Sequence, residues 1–310
     1  MDRVGIVIVT FNSQAEIGAC LDSVQSTGAE IAVVDNASRD GTRAEVSRRN
    51  IRLIANRSNR GFAAAVNQGI ENLTTPFILL LNADAVLLTG LDHLRTACEV
   101  PGIGGAGGRL VNPDGTPQTG FMVRRLPTPA VLCFEALLIN RLWPRNPVNW
   151  RYRCLNLNPG EAAEVEQPAG AFLMIRRDVW RELGGFDENF APLWFEDVDF
   201  CKRARNAGYG LRYVPEAVAK HTGAHSIRNI GLEIRQLYWY RSLLKYAAKH
   251  FRPVSRRLVC ISVIFGSILR MGIGVFHGGS RKQIDVYGKV VRLAARELLP
   301  PGGRGRIVLF

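Results

Sequence analysis

The chain has 310 residues, 47% hydrophobic and 22% charged, a composition that excludes disordered and fibrous classes and leaves room for one large domain with appendages or for two domains. Six scattered cysteines without a Cys-x-x-Cys pair argue against a structural zinc site or a disulfide framework and suit a reducing compartment. The net charge of +13 is unevenly placed: residues 241–310 hold 14 basic and 2 acidic residues, net +12, and the remaining 26 basic and 25 acidic residues leave +1. The main part of the chain is therefore near neutral, and the basic tail suits an anionic membrane or a nucleic acid.

A strand pattern starts almost at once, which leaves no room for a signal peptide. Residues 4–10 read as a buried strand, followed by a turn at Phe11-Asn12-Ser13 and a helix to about Ser26 with Ile17, Leu21 and Val24 on one face. Residues 31–34 form a second strand that stops on Asp35-Asn36. Asp40 is placed to cap a helix through Arg49, and residues 51–55 are a third strand. Asn59-Arg60-Gly61-Phe62 opens an alanine-rich helix ending near Asn72. Residues 77–81, five apolar residues after Pro76, suit a strand buried on both faces, as parallel sheets require. That strand stops on Asn82-Ala83-Asp84 and so places a carboxylate at its carboxyl end, outside which ligands sit in open α/β sheets. Asp84 also suits a turn or a helix cap, roles that need no ligand.

Residues 109–168 are rich in proline and read as loops and short helices, a variable wall or lid. A strand returns at 170–175, then a short helix capped by Asp178 that ends at Gly184-Gly185. A helix runs from the Glu196-Asp197 region to Asn206, with a late strand at 211–214 and a loop at 220–226. Strands alternating with helices predict a doubly wound, mostly parallel sheet.

Three acidic clusters lie at the ends of elements: Asp35, Asp84 and Glu196-Asp197-Asp199. No Gly-x-Gly-x-x-Gly or Gly-x-x-x-x-Gly-Lys-Ser/Thr motif accompanies them, so neither a dinucleotide fold nor a P-loop is supported. Asp84 can bind a hard cation that bridges phosphates. Glu196, Asp197 and Asp199 open a helix, where carboxylates are favoured as caps; their neighbours Trp194, Phe195 and Phe200 also supply the apolar setting that raises a carboxyl pKa towards general-base range. His221 and His225 are four apart, but Gly223 between them opposes a helical metal pair.

In their order, several segments resemble the family 2 glycosyltransferases with the GT-A fold, especially the bacterial rhamnosyltransferase-like branch. They are Val7-Ile8-Val9-Thr10-Phe11-Asn12, Val33-Val34-Asp35-Asn36-Ala37-Ser38-Arg39-Asp40-Gly41, Asn59-Arg60-Gly61-Phe62, Leu80-Leu81-Asn82-Ala83-Asp84, Gly170-Ala171-Phe172, Gly184-Gly185-Phe186-Asp187-Glu188 and Phe195-Glu196-Asp197-Val198-Asp199-Phe200. The resemblance implies an α/β GT-A fold with a mixed, mostly parallel sheet flanked by helices, over residues 1–250. It implies inverting transfer of a sugar, a deoxyhexose such as rhamnose, from a dTDP- or UDP-linked donor to a glycan or polyprenyl-linked acceptor in cell-envelope polysaccharide synthesis. Thr10, Asn12, Asp35 and Asn36 would hold the nucleoside, with Asp35 at the base. Asn59, Gly61 and Asn67 would lie along the sugar and diphosphate, beside Asn82. Asp84 stands where the family's Asp-x-Asp ends and would bind Mg²⁺ or Mn²⁺, and His221 matches a histidine that completes the metal site in some relatives. Asp197 would be the base, with Glu196 and Asp199 orienting it or the acceptor. One departure stands out: Asn82 replaces the first aspartate, which weakens the expected hold on a metal.

Residues 251–310 read as a basic, helical extension. Residues 258–269 are uncharged but too few to span a bilayer, for which about 20 are needed, and as a helix they align Ser255, Ser262, Gly266 and Arg270 in a narrow stripe. Ile284, Tyr287, Val291, Ala294 and Leu298 repeat at 3-4 spacing, with Lys282, Lys289, Arg292 and Arg296 off that face. This pattern predicts a monotopic or peripheral anchor at the cytoplasmic face of an anionic membrane; helices packed on the domain or on a second copy of the chain are the alternative. Three other classes compete with this reading. A sugar-nucleotide pyrophosphorylase would need a Gly-rich loop after the first strand, where Thr10-Phe11-Asn12-Ser13 stands. A nucleic-acid-binding protein is opposed by the near-neutral main domain and the apolar tail. A relative that binds sugar nucleotide without transferring it would keep the same donor residues.

Overall fold

The structure, a computed structural model, describes residues 3–223, 231–276 and 281–298. The chain divides into two units, one of residues 1–126 and 150–230, the other of residues 127–149 and 231–310. The expected boundary at residue 250 is thus replaced by one near 230, and a piece of the irregular middle segment joins the C-terminal helices.

The first unit is built on a sheet that, among the described residues, has nine strands. β1 (Val4–Thr10), β2 (Glu30–Asp35), β3 (Arg52–Ala55) and β4 (Phe77–Leu81) run parallel in the order β3-β2-β1-β4. The other strands are β5 (Ala85–Thr89), β6 (Ile103–Val111), β8 (Ala163–Val165), β10 (Phe172–Arg176) and β11 (Gly210–His221). β10 lies antiparallel between β4 and β6; β11 runs parallel to β6 and antiparallel to β5 and β8. Six of these nine strands share one direction, so the sheet is mixed and mostly parallel, as expected. A ribbon of β7 (Val123–Arg124) and β9 (Gln167–Pro168) stands apart.

The apolar patterning explains these elements. Every residue of β4 is buried, and Ile17, Cys20, Leu21 and Val24 of α1 (Ile17–Gln25) form a buried stripe at helical spacing. α2 (Thr42–Ser47) and α3 (Phe62–Glu71) complete the first half. Helices α8 (Arg177–Glu182) and α9 (Glu196–Asn206) flank the later strands. Two expected caps are placed otherwise. The cap of α2 is Gly41, with Asp40 accepting from the Thr42 N–H one residue further on; Asp178 sits in the first turn of α8, paired with Arg176. The strand β5, the helix α4 (Leu91–Glu99) and the strand β6 were not expected, so Asp84 opens onto a strand rather than a helix. The loop expected at 220–226 begins later, because β11 continues through His221; residues 224–226, His225 among them, lie outside the described residues.

The second unit is helical. It comprises α5 (Pro129–Ala136), α6 (Ile139–Leu142), the start of α7 (Pro147–Tyr152), α10 (Leu232–His250), α11 (Pro253–Phe276) and α12 (Arg281–Leu298). α11 crosses α5 at Gly266, where an added Cβ would lie 1.9 Å from the Ala136 carbonyl oxygen. Arg270 donates to the carbonyls of Glu135 and Ala136 at the end of α5, where a guanidinium complements the helix dipole. The stripe of Ser262, Gly266 and Arg270 is therefore a packing face. The apolar face of α12 is spent the same way: Val286, Tyr287, Val290 and Ala294 are buried, while Lys282, Lys289, Arg292 and Arg296 are exposed.

What α11 leaves outside is a row of large apolar side chains. Val254, Leu258, Ile261, Phe265, Ile268, Leu269 and Ile273 are all between 40% and 68% exposed. Their spacing of three and four residues puts them along one side of the helix. No helix among the described residues is long and apolar enough to cross a membrane.

Candidate functional site

The site lies at the sheet edge where the parallel strands end. β1 and β2 bring Thr10 and Asp35 together: the Thr10 hydroxyl donates to Asp35 Oδ1 at 3.2 Å. Asp35 Oδ2 accepts from the Ser38 N–H at 3.1 Å and from Arg43 Nε at 2.5 Å. A fully buried carboxylate is costly without such partners, and Arg43 supplies the countercharge. Asn12, with φ of 51°, accepts from the Arg39 N–H and donates its own N–H to Ser38 Oγ. The two loops are thereby locked together.

Asn36 continues the network. Its Nδ2 donates to Asn59 Oδ1 at 2.9 Å and to the Gly61 carbonyl at 3.1 Å, and its Oδ1 accepts from the Arg60 N–H. Thr10, Asn12, Asp35, Asn36, Asn59 and Gly61 therefore form one connected rim. Asn67 is engaged elsewhere: its Oδ1 accepts from Trp180 Nε1 and the Phe186 N–H, and its Nδ2 donates to the Phe186 carbonyl and Glu188. It ties α3 to residues 186–188 and has little capacity left for a donor.

Asp84 follows β4 in a tight turn, in which the Ala85 N–H donates to the Asn82 carbonyl. β11 pairs His221 with Ala85 and so sets the imidazole beside Asp84, Nε2 lying 3.3 Å from Oδ1. The two groups are close without a hydrogen bond: Nε2 is buried and has no hydrogen-bond partner. A separation of 3.3 Å is near the roughly 3 Å between adjacent ligands of an octahedral cation with bonds of about 2.1 Å. An orphaned ring nitrogen beside a carboxylate fits a divalent cation held by Asp84 and His221, with phosphate oxygens and water as its other ligands. No cluster of three or more His, Cys, Asp or Glu ligands occurs among the described residues.

Asp197, in the first turn of α9, is held against the start of the adjoining strand. β10 is bonded to β4 with Phe172 opposite Leu81, and the Asn82 N–H donates to the Ala171 carbonyl. Just before β10, the Gly170 N–H donates to Asp197 Oδ2 at 3.0 Å, and Gln167 Nε2 reaches the same oxygen at 3.3 Å. A Cβ on residue 170 would sit 3.0 Å from Asp197 Cβ, so glycine permits this approach. Trp194 and Phe195, at φ of 74° and 71°, turn the chain through the left-handed region immediately before α9. Such conformations cost about 1–3 kcal/mol each and persist where the surroundings enforce them, as at functional sites.

The three carboxylates of α9 differ in setting. Glu196 is buried, its Oε2 without a hydrogen bond, and burial followed by the Asp197 charge pushes its carboxyl well above the usual range. The carboxyl raised by the apolar setting is therefore Glu196. Asp199 is fully buried and paired with Arg203 at 2.7 Å, and Arg203 in turn holds the carbonyls of Leu183 and Gly185. Asp199 fastens α9 to the 183–185 turn and does not face an acceptor with a spare carboxylate. Gln167, Gln118 and Arg43 carry no sequence signal of their own; each is a polar residue whose site partner lies 8 to 103 positions away.

Residues 5–117, the span carrying Asp35 and Asp84, match the Glycosyl transferase family 2 model. The N-acetylglucosaminyl-diphospho-decaprenol L-rhamnosyltransferase of Mycobacterium tuberculosis is 32% identical over 243 residues, 73% of this chain and 78% of that one. The chain is a family 2 glycosyltransferase. The Haloferax volcanii low-salt glycan biosynthesis hexosyltransferase Agl10 is 28% identical over 225 residues, 70% of this chain and 67% of its own. In fold, this glycosyltransferase is similar to the Pyrobaculum calidifontis mannosyltransferase PcManGT in complex with GDP-Man and Mn²⁺, with TM-score 0.53 and 17% identity over 96% of this chain and 87% of that one. It is also similar to Staphylococcus aureus TarS 1–349, with TM-score 0.51 and 14% identity over 95% and 91%. The sheet is that of the GT-A fold, and the family's transfer inverts the anomeric centre.

Proposed function

We propose that this glycosyltransferase moves a deoxyhexose such as rhamnose from a dTDP- or UDP-linked donor to a hydroxyl of a lipid-linked glycan acceptor. The observation that supports the reading is that Asp84 follows β4 while Asp197, carried by α9, is hydrogen-bonded to Gly170 just before β10, the strand paired with β4. Thr10, Asn12, Asp35 and Asn36 frame the nucleoside. Asp35 Oδ1 has a lone pair to spare beyond the Thr10 hydroxyl and accepts from the base. Asn59 and Gly61 lie along the sugar and diphosphate, and Asn82 and Asp84 border the phosphates. Asp84 and His221 would hold a Mg²⁺ or Mn²⁺, which would supply positive charge to the leaving diphosphate. Asp197 takes the acceptor proton, its Oδ2 fixed by Gly170 and Gln167. Glu196, its carboxyl pushed up by burial and by the Asp197 charge, resists adding a second negative charge beside the base.

The acceptor reading draws on the mycobacterial relative, whose name specifies a decaprenol-linked N-acetylglucosaminyl diphosphate, and on the C-terminal unit. We place the chain at the cytoplasmic face of an anionic membrane, with the exposed row of α11 in the lipid and the surplus of basic residues in 241–310 supplying charge complementarity. Of the two helices expected to form the anchor together, we assign the lipid contact to α11, because the apolar face of α12 is buried. The direct test incubates the full chain with dTDP-rhamnose or UDP-sugars and a polyprenyl-diphospho-N-acetylglucosamine, with and without Mn²⁺. Glycosylated lipid is expected; donor binding without product from any pair would defeat the transferase reading of these substrates.

A further inference from the structure

The turn after β6 does something that neither the metal pair nor the donor rim accounts for. It runs Asn112-Pro113-Asp114-Gly115-Thr116, closed by the Asn112 N–H donating to the Thr116 carbonyl at 2.8 Å. Its side chains form a chain of hydrogen bonds whose polarity is fixed from one end. The Asp114 carboxylate accepts from the Thr116 hydroxyl at 2.6 Å, and those contacts hold its carboxyl below the usual range. A hydroxyl has one proton, so Thr116 Oγ1 accepts from Asn112 Nδ2 at 2.9 Å. Asn112 Oδ1 is thereby turned to accept from Gln118 Nε2 at 3.0 Å.

Gln118 is oriented a second time, independently. Its Nε2 also donates to the His221 carbonyl at 2.7 Å, and a flipped amide would press oxygen against oxygen there. With Nε2 so placed, Oε1 faces His221 Nδ1 at 3.0 Å. An amide oxygen only accepts, so Nδ1 carries a proton, and of the two neutral tautomers this is the one whose lone pair is at Nε2. That is the buried, unpartnered atom 3.3 Å from Asp84 Oδ1. Phe121 stacks on the imidazole at 5.4 Å and 12°, which fixes the plane of the ring.

We propose that Gln118 is a positioning residue that holds His221 in its Nδ1–H tautomer, so that the Nε2 lone pair faces the cation site beside Asp84. The proposal rests on the divalent-cation reading above and adds the residue that makes the histidine a ligand. Outer partners of this kind are worth about 10–100-fold in metal affinity.

The test compares the full chain with Gln118→Leu and Gln118→Glu. Leucine removes the acceptor at nearly constant volume; glutamate keeps an acceptor towards Nδ1 and, protonated on its other oxygen, a donor towards the His221 carbonyl. Nitrogen-15 spectra of the metal-free protein, with His221→Ala to assign the signal, should show the proton on Nδ1 in the wild type and Gln118→Glu, and on Nε2 or exchanging in Gln118→Leu. Mn²⁺ titrated by electron paramagnetic resonance in the presence of UDP or dTDP should bind about 10–100-fold more weakly to Gln118→Leu and within a few-fold of wild type to Gln118→Glu. A wild-type His221 protonated on Nε2, or a Gln118→Leu protein that binds Mn²⁺ like the wild type, overturns the proposal. If the wild type takes up no Mn²⁺ with either nucleotide, the cation reading fails, and the tautomer measurement still decides what Gln118 does.

Discussion

Phe265→Gln tests the membrane face without touching net charge. Phe265 is 63% exposed, and a phenylalanine offers about 200 Å² of surface, so roughly 125 Å² stands ready for transfer into lipid. At about 25 cal/mol per Å² that is about 3 kcal/mol, or close to 100-fold in partitioning. The folded protein loses little, because the side chain packs against little; the melting temperature should stay within about 2 °C, as for surface substitutions generally. The assay is co-sedimentation of the full chain with phosphatidylglycerol–phosphatidylcholine vesicles at 0.15 M salt. Wild-type binding that falls 30- to 100-fold in the variant supports the α11 row as the lipid face. Equal binding by both proteins refutes it. If vesicle binding is unchanged while a concentration-dependent dimer is lost, the row belongs to a second copy of the chain.

Four other outcomes are expected. Asp197→Asn should lower kcat by about 10²–10⁴-fold, the usual share of a general base, with donor KM little changed; full kcat in steady-state assays would remove the base assignment. Glu196→Gln should become relatively more stable as pH rises. The native carboxyl is raised, so any stabilising contribution is complete below the unfolded pKa and is lost as pH climbs towards the native one. The melting temperature of the variant minus that of the wild type should therefore increase from pH 5 to pH 8, and a constant difference would contradict the burial argument. Gly266→Leu drives a side chain into the Ala136 carbonyl and should cost at least about 1–3 kcal/mol by overpacking, read as a lower melting temperature. Chelation by EDTA should abolish transfer, and Mn²⁺ should restore it less readily in His221→Ala; undiminished activity in excess chelator would remove the cation from Asp84.

The front half of the sheet was legible because its strands are uniformly apolar and its helices keep a strict 3-4 stripe, as in β4 and α1. β6 was not, since Ile-Gly-Gly-Ala-Gly-Gly-Arg-Leu-Val carries four glycines and little strand propensity. Its neighbours need the glycines: a Cβ at Gly107 or Gly108 would collide with Pro168 or Phe172. Asp35, Asp84 and Asp197 could be picked out because each ends or begins an element. The supports of the site could not. Gln167 and Gln118 act through tertiary neighbours, and a glutamine in a proline-rich segment looks the same whether it is solvated or locked against a histidine. Helical periodicity found the apolar face of α12, but only packing shows that this face is already covered while the opposite is true of α11.

The helical unit is discontinuous in the chain, and this has a consequence for synthesis. The carbonyls at the end of α5 are held by Arg270, 134 positions later. At roughly 5–20 residues per second, α5 waits about 7–27 s after it is made for that guanidinium to be translated. Through that interval Val131, Leu132 and Ala136, buried in the finished protein, have no α11 to cover them. Nascent chains are thus sticky late in translation, and a stop codon anywhere between residues 150 and 250 yields an α5 that never finds its cover. Shortened versions of this enzyme should be captured by chaperones or degraded rather than released as a trimmed catalytic domain.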